Sequence, residues 1–348
     1  MTSSFSDGEV VNGLMHTYSC YRDSALVLTD VMGEKSPTFA APTKRAIAGP
    51  VINSDFPDPA IINVDNTWYA FGTSSVFDNK GVNVQLAKSS DFASWSLLQG
   101  QDALTSLPGW VNASDPQVWA PDVVQRDDGK FVLYFSATTN TAGNGAYHCV
   151  GTATSSSVMG PYTPDEDVFA CPTDQGGAID ASGFRDSDGT RYVVYKVDGN
   201  AKGNGGSCGN TVEPIHSTPI MIQQVQGDGV TKVNGPTQIL DRGPSDGPLV
   251  EAPSLMKDSA GTYVLFFSSN CYTSPDYDVS YATSQSVTSG YVKQPALLTK
   301  NNNGLSGPGG ATIATDGKHV AFHGQIGDDG RRAMYTATIT VNGNTVTV

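Results

Sequence analysis

Charge is scarce in this chain. Only 16% of its 348 residues are Asp, Glu, Lys or Arg, and no cluster of Lys or Arg interrupts a net charge of −14. Such a surface repels nucleic acid and anionic membranes, which excludes both as partners. Long apolar runs are missing as well: no segment approaches the ~20 apolar residues that span a bilayer. Helix-period runs of Ala, Glu, Lys and Leu are absent, while Gly (38) and Pro (20) are plentiful. That balance points to an all-β chain with many turns. Cys-x-x-Cys spacing is also absent, which removes the common zinc sites.

The five cysteines are an odd number. Cys20 stands apart, and Cys149, Cys171, Cys208 and Cys271 lie in the body of the chain. Their spacing suggests a local Cys149–Cys171 bridge and a Cys208–Cys271 bridge between neighbouring units, in an oxidising compartment. Free buried thiols are the alternative. Met1 to Met15 is polar and lacks the apolar core of a signal peptide. Lys44-Arg45 is a dibasic pair just ahead of the regular pattern, and it resembles a processing site. Residues 1–45 are therefore read as an N-terminal extension or pro-segment outside the mature protein, and 46–348 as one domain. A secreted monomer is expected, and the sequon Asn112-Ala113-Ser114 agrees with secretion.

The body repeats itself five times. Each copy is a tight turn followed by an aromatic and β-branched strand, as in Asp128-Gly129-Lys130-Phe131-Val132-Leu133-Tyr134-Phe135. The turn markers are Asn66, Gly129, Gly189, Gly261 and Gly317, with steps of 63, 60, 72 and 56 residues. Asp-Gly before alternating apolar residues signals a hairpin. A period near 60 leaves room for about four strands per unit, the make-up of a propeller blade. The expected fold is an all-β, five-bladed β-propeller.

Three acids sit in separate short motifs: Asp58 in Ser54-Asp55-Phe56-Pro57-Asp58-Pro59, Asp180 in Ile179-Asp180-Ala181, and Glu251 in Val250-Glu251-Ala252-Pro253. Each lies eight to ten residues ahead of its own turn marker. Equivalent positions in different blades converge on one axis, so acids scattered in sequence would share one pocket. Such a set suits acid–base hydrolysis of a neutral polymer, two acids moving protons and a third tuning one of them.

At this point the sequence resembles glycoside hydrolase family 43, whose fold is a five-bladed propeller. The resemblance rests on Asp58-Pro59, Trp119-Ala120-Pro121-Asp122, Ile179-Asp180, Glu251-Ala252-Pro253, Tyr277-Asp278-Val279-Ser280-Tyr281 and His323-Gly324, and covers about residues 48–340. Ala252 departs from the glycine usual after the acid in that family. The invertase-type relatives are set aside, because their Asn-Asp-Pro-Asn and Arg-Asp-Pro motifs are absent. The resemblance implies inverting hydrolysis, with Asp58 as general base, Glu251 as general acid and Asp180 as its pKa modulator. It implies no cofactor for the chemistry, and it makes His323 a candidate ligand for a structural Ca²⁺ on the axis. Phe56, Trp119, Asp122 and Arg332 are candidate sugar contacts. The leading activity is an exo-acting α-L-arabinofuranosidase on arabinan or arabinoxylan side chains. A β-xylosidase or endo-1,5-α-arabinanase is the alternative, and a non-catalytic glycan-binding propeller a third.

Overall fold

A computed structural model describes residues 46–140 and 147–348. The suggested extension, with Cys20, lies outside them. Strands are numbered along the chain, beginning with β1 (Ile47–Ile52). Blade one is β2 (Ala60–Val64), β3 (Thr67–Gly72), β4 (Gln85–Ser89) and β5 (Ser96–Leu97). Blade two is β6 (Trp119–Gln125), β7 (Phe131–Thr138), β8 (His148–Ser155) and β9 (Thr163–Pro164). Blade three is β10 (Ala178–Arg185), β11 (Arg191–Val197), β12 (Ile220–Val225) and β13 (Lys232–Leu240). Blade four is β14 (Val250–Lys257), β15 (Tyr263–Ser269), β16 (Ser280–Ser284) and β17 (Val292–Lys293). Blade five is β18 (Gly309–Ile313), β19 (His319–Gln325) and β20 (Arg332–Thr338), completed by β1 from the other end of the chain. A small hairpin, β21 (Thr340–Asn342) and β22 (Thr345–Thr347), follows. The five-bladed all-β propeller read from the repeat is the observed fold.

Each turn marker joins the first and second strands of its blade and takes a positive φ, from 62° at Asn66 to 94° at Gly261. The first strands β2, β6, β10, β14 and β18 neighbour one another in a closed ring. Strand periodicity then builds the core. In β7, Phe131, Leu133 and Phe135 pack with blade one, while Val132 and Tyr134 pack with blade three. Alternate residues of one strand thus serve two interfaces, which is why β7 is buried along its whole length. Five apolar clusters fill the five junctions between blades.

The ring strands share one irregularity. Pairing with the second strand slips between Trp119 and Asp122, Ile179 and Ser182, Glu251 and Ser254, and Gly309 and Thr312. Inside each slip one residue is left-handed: Ala120 (φ 43°), Asp180 (59°), Ala252 (51°) and Gly310 (59°). Asp58 (φ 50°), just ahead of β2, takes the same conformation. Such bulges bend a strand and re-aim its side chains. A non-glycine residue held there costs on the order of 1–3 kcal/mol. A left-handed residue at this point of every blade, non-glycine in four of the five, shows that the fold is built to turn these five positions in one way.

The disulfides join Cys149 to Cys171 and Cys208 to Cys271, the pairing suggested by spacing. The second ties the insertion after β11, which carries the short turns Gly199–Lys202 and Ser207–Gly209, to the loop after β15.

Candidate active site

Asp58 and Asp180 line one small recess together with Ala120, Pro121, Asp122, Ala252, Pro253 and Gly310. The four bulges and Asp58 of blade one meet there. Its volume is about 30 Å³. Glu251 adjoins Ala252 and is buried.

Asp58 is the most heavily held of the three acids. Its Oδ1 accepts from Arg332 at 3.1 Å and its Oδ2 from the Thr73 hydroxyl at 2.7 Å. Its backbone N–H donates to His323 Nδ1 at 3.1 Å. Burial works against its charge, but Arg332, His323 and Thr73 outweigh burial and hold the carboxyl well below the usual range. Gly310 makes room for this arrangement: a Cβ there would fall 2.9 Å from Asp58 Oδ1 and 2.7 Å from His323 Nδ1.

Asp180 lies in the opposite regime. Its Oδ2 accepts the Ala252 N–H at 2.8 Å and its own N–H donates to Ser136. Burial, then the nearby charge of Glu251, raise its pKa against the pull of Lys196. Glu251 is held at both oxygens. Oε2 accepts from Lys196 Nζ at 2.9 Å and Oε1 from the Tyr277 hydroxyl at 2.8 Å. Lys196 is wholly buried and also contacts Asp198 at 2.9 Å. Gly309 leaves space for Tyr277, since a Cβ there would lie 2.0 Å from the Tyr277 ring.

The remaining sequence candidates fall in different places. Phe56 is 0% exposed and packs against Gly72, so its ring face is covered by protein and not offered to a sugar. Trp119 is half-buried at the mouth of β6, with one face stacked on His148 at 3.6 Å between ring centres. Asp122 accepts the Gly183 N–H at 2.8 Å, and burial pushes its pKa up to about 6. Arg332 faces Asp58 and stacks on Tyr272, whereas Arg331 pairs with Asp329 at the surface. His323 sits on β19, the second strand of its blade, and not on an axial strand as the sequence suggested; the axial strand of that blade is the glycine-rich β18.

Lys196, Asp198, Tyr277, Thr73 and Tyr272 were not singled out as site residues from sequence. One signal would have found the first. Seven residues past the markers Asn66, Gly129, Gly189 and Gly261 stand Thr73, Ser136, Lys196 and Ser268, and His323 stands six past Gly317. These side chains all reach the bulges.

The model of "Glycosyl hydrolases family 43" matches residues 47–339. An extracellular endo-α-(1→5)-L-arabinanase of Bacillus subtilis (strain 168) is 26% identical over 308 residues, covering 84% of this chain and 86% of the relative. Among solved structures, a thermostable family-43 glycoside hydrolase aligns with TM-score 0.69 at 24% identity, over 85% of this chain and 93% of that one. A native Bacillus subtilis arabinanase aligns with TM-score 0.63 at 22% identity, over 83% and 96%. With its propeller, its ring of bulges and a family match over most of its length, the chain belongs to glycosyl hydrolase family 43.

Proposed function

We propose that this glycoside hydrolase is an endo-acting 1,5-α-L-arabinanase that works with inversion. The observation that carries the chemistry is the meeting of Asp58 and Asp180 at one recess with Glu251 beside it, close enough for Asp180 to feel the charge of both other acids. Asp58, kept ionised by Arg332, takes the proton from the attacking water. Glu251 gives a proton to the departing glycosidic oxygen, and Asp180 tunes it through Ala252. A base and an acid acting on opposite sides of the sugar ring give inversion.

The substrate reading moves from exo-arabinofuranosidase to the alternative. The relative matched along nearly its whole length carries the name of an endo-arabinanase. The recess supports the same choice. A volume of about 30 Å³ holds roughly one water, whereas pockets that enclose small ligands run to ~300 Å³ or more. A recess of that size does not enclose a sugar residue, which suits a polymer lying across the opening. The exposed rings of Phe77 and Tyr272 sit on loops at this face. Secretion is part of the proposal, supported by the disulfides and by the word extracellular in the relative's name.

The chemistry asks for no cofactor. A structural Ca²⁺ remains a proposal that rests on one atom: His323 Nε2 is buried and makes no hydrogen bond. Nδ1 lies 3.1 Å from the Asp58 N–H and 3.2 Å from Asp58 Oδ1. With Nδ1 accepting the Asp58 N–H, the ring proton sits on Nε2, so an ion at Nε2 would require that proton to move to Nδ1 and the Asp58 N–H bond to give way to one with Oδ1. Among the described residues no group of three or more His, Cys, Asp or Glu could hold a metal, so waters would complete the shell. Such an ion would supply positive charge near Asp58. Metal analysis and Tm before and after chelation test it: one calcium per chain and a lower Tm on removal are expected, and His323→Ala should abolish both.

Linear debranched arabinan tests the main reading. The wild type should release a ladder of oligomers with a rapid fall in viscosity, and Glu251→Ala should release none. Arabinose alone from the first time point would restore the exo reading, and xylose from xylan would point to the xylosidase.

A further inference from the structure

One blade breaks the pattern that the other four keep. In four blades the N–H of the left-handed residue donates to a side chain on, or just past, the second strand of the preceding blade. Ala120 bonds to Thr73, Asp180 to Ser136, Gly310 to Ser268 and Asp58 to His323, at 2.8 to 3.1 Å. Lys196 occupies that place ahead of blade four, paired in register with Ile179 as Ser136 is with Trp119 and Ser268 with Glu251. An ammonium group donates three hydrogen bonds and accepts none. Two consequences follow. The Ala252 N–H turns to Asp180 Oδ2, which joins two of the three acids. Lys196 donates to Glu251 Oε2.

A buried ammonium costs several kcal/mol unless it is paired. Asp198, at 2.9 Å, supplies the pairing charge that leaves Lys196 free to serve Glu251 as well. Other groups face Glu251 from the packed elements. Asp180 comes from β10, and Tyr277 from the loop before β16. Asp58 stands at the recess with Arg332 and His323. Strand β15 offers only the Ser268 hydroxyl and β18 only Gly309 and Gly310.

We propose that Lys196, gripped by Asp198, is a positioning residue that reserves Oε2 of Glu251 as an acceptor and so assigns the transferable proton to Oε1. This rests on Glu251 being the general acid. Tyr277 completes the device, because a phenol both donates and accepts. It donates to the carboxylate Oε1 and must turn when Oε1 carries a proton, with the Ser268 hydroxyl as its second partner. In the reaction the Oε1–H bond breaks as that proton bonds to the glycosidic oxygen. The bond from the anomeric carbon to that oxygen breaks as the oxygen of the water deprotonated by Asp58 bonds to the same carbon, and Glu251 is left as a carboxylate already facing an ammonium. The proton that Asp58 takes from water returns to Glu251 through solvent before the next turnover.

The test reads Glu251 directly. The chain has five glutamates, so carboxyl-¹³C glutamate labelling gives few signals, and Glu251→Gln identifies the one that matters. In Lys196→Met its titration midpoint should rise by about one pH unit or more, because a cation beside a carboxylate favours the charged form. In Asp198→Asn the midpoint should fall, because Lys196 then serves Glu251 alone. Lys196→Arg should stay near the wild type. Opposite signs in two variants of the same buried cluster cannot arise from loosened packing. In parallel, Lys196→Met should lose about tenfold or more in kcat/KM on arabino-oligosaccharides. It should lose less than about threefold on a dinitrophenyl arabinoside, whose leaving group needs no proton. Midpoints that stay put, or move the same way in both variants, would overturn the proposal, as would equal losses on the two substrates. A wild type inert on arabinan whose midpoints still move with opposite signs would sink the substrate reading and leave Lys196 in its role.

Discussion

The two ends of the propeller axis hold the same kinds of residue and treat them differently. At the bulge end, four carboxylates (Asp58, Asp180, Asp198 and Glu251) share two cations, Arg332 and Lys196. At the far ends of the same strands lies a cavity of about 1230 Å³ lined by Asp127, Asp186, Arg191 and Lys257 among others. There Asp127 and Asp186 are matched by cations, whereas Asp122, which lines both spaces, is not. Arg191 clasps Asp127 through two nitrogens at 3.0 and 2.6 Å, with Arg185 adding a third contact. Asp186 takes Lys257 at 2.8 Å and the Tyr263 hydroxyl at 2.5 Å, which together outweigh its burial and hold it at about 2. Asp180 has no such cation in contact and is raised instead. Cavity size points to the wrong end. The shortage of cations, more than the space available, separates the acids proposed to move protons from Asp127 and Asp186, which brace the fold.

The largest way to break this comparison is to remove a proposed proton carrier. Asp58→Asn and Glu251→Gln should each lower kcat on arabinan by about 10²- to 10⁴-fold with the circular dichroism melt unchanged. Asp180→Asn comes next: losing the tuning charge but keeping an acceptor for Ala252, it should cost about 10- to 100-fold in kcat/KM. The far end should give the reverse pattern. Asp186→Asn should leave kcat/KM within about twofold and lower stability by about 1–2 kcal/mol, read by urea unfolding. The sign with pH follows from its lowered value. The folded pKa lies below the unfolded one, so the contribution is full above about pH 4 and fades as pH falls toward 2. The variant should lack that part of the acid slope. Ser136→Ala should have the smallest effect, about 1 kcal/mol and a few-fold in rate. It strips one acceptor from the Asp180 N–H and leaves every charge in place.

The blades were legible because a hairpin must declare itself locally. A left-handed turn residue and period-two apolar strands are properties of neighbouring residues, so the five markers fix five sheets. The acids were legible because the same period places them at equivalent points of the ring. Strand β12 was not read as the third strand of blade three, because the insertion after β11 with its turns separates it from its hairpin. Lys196 was hidden for another reason. A lysine at the end of an apolar strand ordinarily reaches water, and only register against the other blades shows that it points inward. Phe56 misled through its neighbours: an aromatic two residues from a catalytic acid reads as a sugar platform, yet that motif winds it under the loop. None of these contacts is encoded within one stretch of sequence, since each needs two blades side by side.

The closing strand of blade five has a consequence in time. Strand β1 pairs with β20, Ile47 opposite Ala337. A ribosome adding ~5–20 residues per second makes β1 roughly 15–60 s before its partner exists. For that interval the hydrogen-bonding edge of β1 and the side chain of Ile47, which packs with blades four and five, lack their native partners, and an unpaired edge invites wrong partners. The first four blades can take shape in the order they are synthesised, while the fifth must wait for both ends. Anything that shields residues 47–52 during that wait, whether a chaperone or a neighbouring part of the nascent chain, would set the yield of folded enzyme without ever touching the active site.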